Sequence, residues 1–397
     1  MALSKRAQQI SASPTLALDA KAKAMAAEGI NVISFGVGEP DFDTPANIRE
    51  AAIKAINAGF TRYTAAAGIE DLKKAVCARL KANFNQEYEP KHIVVSNGAK
   101  HSLSNAFTAL LDDGDEVILP TPCWVSYTEL IKLSGGVPIF VHATEENDFL
   151  MTPSEFASAI TPKTKVLLLN SPSNPTGGVY SKQDLEEIAK LCVKHNIYVI
   201  ADEIYAQLLY DGRTYTSISE FGQEIKDLTI VINGVSKSYA MTGWRIGYSA
   251  STVELAKAMG DIQSHQTSNP NSIAQKAAVE ALNGPQESIE DMRVEFEKRR
   301  NKMVELINQI PGVSARTPGG AFYVFANVSG LFGKTVRGVK INGSSDLSDV
   351  ILNEVKVAVV PGLAFERDEF LRFSYATSME KIIEGLERIT ELLKEAQ

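Results

Sequence analysis

The chain has 397 residues, 44% of them hydrophobic, and a net charge of −8 from 48 acidic and 40 basic side chains. This composition suits a globular protein with a large core split into two domains. The acidic balance, with no basic stripe, argues against nucleic acid or an anionic membrane as a partner. The three cysteines, Cys77, Cys123 and Cys192, are too few for a disulfide framework and lack metal-site spacing, which points to a reducing compartment. Lys5 and Arg6 are not followed by a signal-peptide core, and no apolar run reaches membrane length. The expectation is a soluble, cytoplasmic protein.

Residues 15–28 are alanine-rich and precede Gly29, as a helix with a glycine cap would be. Residues 31–35 read as a strand. The following GVGEPDFDTP is turn chemistry, equally a cleft lining or a surface loop. Residues 46–59 carry Ile48, Ala52, Ile53 and Ile56 on one helical stripe. From residue 92 to 250 apolar strands alternate with helical patterns, as a mostly parallel sheet covered on both faces requires. The strands are expected at 92–96, 116–119, 137–141, 166–169, 198–201, 229–233 and 245–250. Thr152 with Pro153 and Glu155, and Ser181 with Asp184, are helix-start signals between them. A break at Asn283, Gly284 and Pro285 precedes a long helix with Ile289, Met292, Phe296, Met303, Ile307 and Ile310 on one stripe. Strands at 320–328, 356–360 and 370–375 and a last helix at 379–393 complete the chain.

The stretch TIVINGVSKSYAMTGWRIGYSA, residues 229–250, carries the strongest chemical signal. Lys237 lies between two expected strands, among Ser236, Ser238, Thr242 and Arg245, with Gly234, Gly243 and Gly247 permitting close backbone approach. A lone loop lysine is ordinarily solvated; this company is not ordinary. The pattern resembles the lysine signature of class I and II aminotransferases, specifically bacterial-type aspartate aminotransferases, and the likeness covers essentially the whole chain. It implies an α/β protein of fold type I, with a mostly parallel central sheet in a large domain at 48–285 and a smaller α/β domain built from 1–47 and 286–397.

The resemblance also implies a cofactor, pyridoxal 5'-phosphate, held on Lys237 as a Schiff base, with Arg245, eight residues later, on its phosphate. Asp202 ends the strand at 198–201, where ligands of open α/β sheets bind; a local capping carboxylate is the plainer alternative. In the family the matching carboxylate faces the pyridine nitrogen, and the residue matching Tyr205 reaches the phenolic oxygen. Ser96–Lys100 joins a strand to a helix start with a glycine, which suits an anion, and the family gives Gly98, Ala99 and Lys100 the phosphate-loop role. Asn174, in SPSNPTGG, matches a residue touching both the phenolic oxygen and the substrate carboxylate. Trp124, in PCWVSY, matches the aromatic that stacks on the cofactor ring, although a core tryptophan fits composition alone.

Arg372 stands in an otherwise nearly apolar run, where a cation needs an anionic partner to offset desolvation. Its fork fits a carboxylate, and the family assigns the matching arginine, with the glycine at Gly38, to the substrate α-carboxylate. Tyr63, in RYTAAAGIEDL, matches a tyrosine that reaches the phosphate of the neighbouring subunit, which implies a homodimer with shared sites. Animal-type enzymes bind the distal carboxylate with an arginine where this chain has Ser264. The bacterial branch uses a lysine and a serine, which Lys100 and Ser264 resemble. The expected reaction is ping-pong transfer of an amino group from aspartate to 2-oxoglutarate. Prephenate or aromatic transamination, and β-lyase or synthase chemistry on the same fold, are the alternatives. A regulator with an aminotransferase-like domain behind a DNA-binding module fits poorly, because the pattern starts within the first few dozen residues of an acidic chain.

Overall fold

The computed structural model describes residues 3–397. Its larger sheet has seven strands: β1 (Ile93–Ser96), β2 (Glu116–Thr121), β3 (Val137–His142), β4 (Thr164–Asn170), β5 (Tyr198–Asp202), β6 (Thr229–Gly234) and β7 (Gly247–Ala250). They lie in the order β1-β7-β6-β5-β4-β2-β3. Only β7 runs against its neighbours, β6 and β1; the remaining pairings are parallel. Six carboxyl ends therefore share one edge of the sheet. Register pairs Asn170 with Asp202 and Asp202 with Ile232, which sets the acid at that edge.

These strands are continuous apolar runs because both faces are covered. Side chains alternate between faces: Ile200 and Ile230 join Phe107 and Leu168 in one core, while Val199 and Ala201 join Leu167 and Ile188 in another. The crossover helices begin as their sequences require. Thr152 and Glu155 make a reciprocal capping box, and Ser181 accepts the N–H of Asp184.

Six helices matter for the site: α1 (Pro14–Ala27), α2 (Ala99–Leu110), α3 (Val253–Gln266), α4 (Ser272–Asn283), α5 (Glu287–Ile307) and α6 (Met379–Leu393). An antiparallel sheet of β8 (Ser314–Ala315), β9 (Tyr323–Asn327), β10 (Val360–Pro361) and β11 (Phe370–Ser374) has the order β10-β11-β9-β8. Met292, Phe296, Met303 and Ile307 of α5 share a core with Val324, Phe373 and, from α6, Ile382, Leu386 and Ile389. The stripe read along 289–310 is thus a buried face, whereas of the stripe read at 46–59 only Ile48 and Ala52 are buried: Ile53 and Ile56 are 55% and 52% exposed, because the helix packs through Ile48, Ala52 and Ala55 instead. No helix among the described residues is long and apolar enough to cross a membrane, and the three cysteines are free thiols.

Four expected strands are shorter than their apolar runs. Of residues 31–35 only Ile33–Ser34 pair, in parallel with Val357–Ala358. The run at 356–360 splits because Val357–Ala358 faces that partner while Val360–Pro361 turns to β11. In 320–328 the strand starts at Tyr323, since Gly320 bridges to Leu209 and Ala321 has φ +59°. Arg245, expected in a strand, instead has φ +57° and precedes β7.

Candidate active site

At the carboxyl edge of the large sheet lies a cavity of about 460 Å³ lined by residues from both sheets and from α1. Gly38, Lys100, Trp124, Asn174, Asp202, Tyr205, Lys237, Arg245 and Arg372 line it together with Ala99. Residues 38 to 372 in sequence meet there, which no local pattern requires.

Asp202 is 3% exposed. One carboxylate oxygen accepts from the Tyr127 hydroxyl at 2.7 Å and the other from the N–H of Ile204 at 3.2 Å. Burial raises it to about 6, against the pull of those two donors and of Lys237. A cation beside this carboxylate would offset its desolvation. Its neighbour Glu203 does not line the cavity; it accepts from Ser217 at 2.5 Å and Gln86 at 3.4 Å, and burial lifts it to about 7.

Lys237 sits in the turn after β6. Its Nζ donates to the Gly38 carbonyl at 2.5 Å. Burial lowers the amine to about 8, with Glu39 opposing and Arg245 and Arg372 assisting. A neutral amine, able to act as nucleophile or base, is therefore reachable near neutral pH.

Behind the opposite end of the cavity, two glycines allow close packing. Gly98 has φ +85°, and a Cβ there would collide with the Arg245 guanidinium; one on Gly247 would strike the backbone of Ala99 and Gly98. Helix α2 can thus start directly against the β6–β7 turn. Its first-turn N–H groups at Ala99 and Lys100 have no acceptor within the helix, and Arg245 lies beside them, its Nη atoms donating to Thr242 O at 3.0 Å and Asn97 O at 3.4 Å. Free N–H groups, a helix N-terminus and a guanidinium make a cradle for a dianion such as phosphate. Lys100 lies over the Trp124 ring at 4.7 Å, its charge disfavoured by burial and by Arg245.

Arg372 is 3% exposed. It donates to Asn174 Oδ1 at 2.9 Å and Gly36 O at 2.8 Å, and packs 4.5 Å from the Tyr323 ring. Its Nε is buried without a partner among the described residues, which leaves a guanidinium donor for a carboxylate. Tyr205 and Tyr323 share a 3.0 Å hydroxyl contact nearby.

Three expected site residues do not line the cavity: Gly98, which packs behind the Arg245 guanidinium, and two that lie on the surface. Tyr63 is 91% exposed, and Ser264 is exposed on α3, donating to Asp261 O at 2.7 Å. The cavity also holds Tyr127, Tyr323, Glu39 and, from α1, Thr15, Asp19 and Lys23, which the sequence reading did not assign to it. Tyr127 sits in the same PCWVSY that marked Trp124; Tyr323 carries no local signal.

The model of aminotransferase classes I and II matches residues 30–389. An aspartate aminotransferase of Bacillus sp. (strain YM-2) is 47% identical over 392 residues, 99% of each chain. A probable aspartate/prephenate aminotransferase of Aquifex aeolicus is 44% identical over 395 residues, again 99% of each. Among solved structures, the aspartate aminotransferase from Rhizobium meliloti superposes with a TM-score of 0.96 at 41% identity, covering 100% of both chains. The fold is that of fold type I. A carboxylate at one end of the cavity, an anion cradle at the other and an amine between them fit one cofactor with a ring nitrogen, an aldehyde and a phosphate. The chain belongs to the class I and II aminotransferases, enzymes that use pyridoxal 5'-phosphate to exchange amino groups between amino acids and oxoacids.

Proposed function

We propose that the chain is an aspartate aminotransferase that passes the amino group to 2-oxoglutarate in a ping-pong cycle, as a cytoplasmic homodimer with shared active sites. The convergence of Lys237, Asp202 and Arg372 on one cavity carries this reading. Bound pyridoxal 5'-phosphate supplies the electron sink for negative charge developing at the substrate Cα.

Lys237 would hold the cofactor through its Nζ and, when free, would serve as the base that carries the proton leaving the substrate Cα. Its lowered basicity supports both tasks. Asp202, fixed by Tyr127 and Ile204, would favour the protonated form of the ring nitrogen. Tyr205 and Asn174 would hold the phenolic oxygen, Trp124 would stack on the ring, and the backbone at Gly98, Ala99 and Lys100 would hold the phosphate together with Arg245. Tyr63 of the partner subunit completes that cradle; its side chain is 91% exposed here, as a group offered to a second copy would be. Arg372, Asn174 and the backbone of Gly38 take the α-carboxylate. Lys100, beside Trp124, and Ser264 of the partner subunit take the distal one. The large domain spans 48–285, which contains the seven-stranded sheet, and the small one 1–47 and 286–397, which contain the four-stranded sheet; residues 1–2 lie outside those described.

Relatives named for both aspartate and prephenate make the second oxoacid worth testing. Half-reaction spectra of the purified holoenzyme against aspartate, glutamate, phenylalanine and alanine, followed by return with 2-oxoglutarate or prephenate, decide the matter. Aspartate and glutamate should convert the cofactor fastest. Faster conversion by phenylalanine would overturn the dicarboxylate reading, and release of ammonia with an oxoacid would indicate lyase chemistry.

A further inference from the structure

We infer that Gln263 and Gln275 are positioning residues that hold Tyr63 and Ser264, the two groups offered across the dimer interface, as one unit. The inference rests on the shared-site reading above.

Residues 60–69 form no helix or strand, so their backbone groups need other partners. The two glutamines supply them for Ala66 O and for the N–H of Ile69. Gln263 of α3 donates to Ala66 O at 2.6 Å and to Val95 O at 2.7 Å, and its carbonyl accepts from Asn105 at 2.9 Å. Gln275 of α4 accepts from the N–H of Ile69 at 2.8 Å and donates to Thr64 Oγ1 at 3.1 Å and Pro270 O at 2.9 Å. Both side chains are 0% exposed with both ends of their amides paired.

Burying two amides only to fill volume would cost more than burying leucines. What the amides add is direction. They tie the loop to β1, to α3 and to the connection between α3 and α4. Val95 N also donates to Ala67 O at 3.0 Å, and at Gly68, with φ +99°, any Cβ would collide with the Val95 side chain. The loop is thus pressed onto the sheet from one side and leaves Tyr63 standing out on the other. Ser264 follows Gln263 directly, and successive helical residues point about 100° apart. The residue that grips the loop from inside therefore sets the orientation of the serine outside. None of these contacts belongs to the cavity of the same chain, so their effect is expected at the partner's site.

Hybrid dimers test this. One protomer carries Lys237→Ala, so only the other holds cofactor covalently, and the affinity of that single site is read by absorbance titration. Gln275→Met removes the amide at similar volume; Thr64→Val removes one of its contacts from the loop side, without touching the core. Placed on the Lys237→Ala protomer, either change should weaken cofactor binding at the opposite site roughly three- to tenfold, the range for one hydrogen bond. Placed on the protomer with the intact lysine, it should change affinity less than twofold. In cofactor-free protein, amide exchange at Ile69 should be faster in Gln275→Met. Equal losses in both arrangements, or none in either, would overturn the inference. Tyr63→Phe in the same hybrids separates the two ideas: if it does not act across the interface, the shared-site reading fails and this inference with it. If it does and the Gln275 and Thr64 variants do not, this inference alone fails.

Discussion

The two ends of the cavity are built in opposite ways. At the Asp202 end every group is buried and already paired: Tyr127 and Ile204 hold the carboxylate, and Tyr205 meets Tyr323. At the Gly98 end, donors are collected and left open, with Ala99, Lys100 and the exposed Arg245 in front of two closely packed glycines. The buried end holds a charge against its own desolvation, which is a way to act on chemistry. The open end awaits an anion from outside, which is a way to bind. Affinity and rate should therefore respond to different substitutions.

The largest effect should come from the buried end. Asp202→Ala should slow the aspartate half-reaction roughly a hundred- to a thousandfold, the range for removing one preorganised electrostatic group, with far less change in cofactor affinity. Stopped-flow absorbance gives both, and a half-reaction near the wild-type rate would remove Asp202 from the chemistry.

Substrate ends come next. Losing a charge-assisted hydrogen bond costs about 1.5–3 kcal/mol, so Lys100→Ala should lower kcat/KM for aspartate roughly ten- to a hundredfold and leave phenylalanine little changed. Arg372→Ala should weaken both substrates, because both carry the α-carboxylate. Equal losses on aspartate and phenylalanine for Lys100→Ala would assign the side chain of that lysine, and not only its N–H, to the phosphate cradle.

At the open end, Arg245→Ala should weaken cofactor binding about tenfold while the half-reaction rate of saturated enzyme stays nearly constant. A fall in rate without a fall in affinity would break the contrast between the two ends.

A further effect falls on stability without cofactor rather than on binding or rate. Burial raises Asp202 to about 6 from the ordinary 3.8, so between those values the native state keeps a proton that the unfolded chain has lost. Stability falls as pH rises through that window, by about 3 kcal/mol once above it. Asp202→Asn should therefore melt higher than wild type at pH 7 and lose that advantage near pH 4. An advantage independent of pH would mean that packing, not charge, separates the two.

Much of this architecture was legible because it is written locally. Continuous apolar runs marked the parallel strands, capping residues such as Thr152 and Ser181 marked helix starts, and stripes such as Met292, Phe296 and Met303 marked buried faces. Lys237 and Asp202 stood out because turn and strand-end chemistry surrounded them. Helices at Glu70–Phe84, Val253–Gln266 and Ser272–Asn283 received no expectation. The last buries Ala274, Ala277, Ala278 and Ala281, residues too small to mark an apolar stripe. Tyr127 and Tyr323 were missed for another reason: each acts on a residue far along the chain, Asp202 and Tyr205, and nothing in its own neighbourhood records that. Arg245 read as a strand residue because φ +57° leaves no trace in composition.

The central claim is that the cavity is organised around one amine, although Lys23 and Lys100 also line it. Borohydride reduction of the holoenzyme, followed by digestion and peptide mapping, tests this directly. The account predicts a single labelled peptide with cofactor on Lys237, absent from Lys237→Ala protein. Label on Lys100, Lys23 or any other lysine would contradict it.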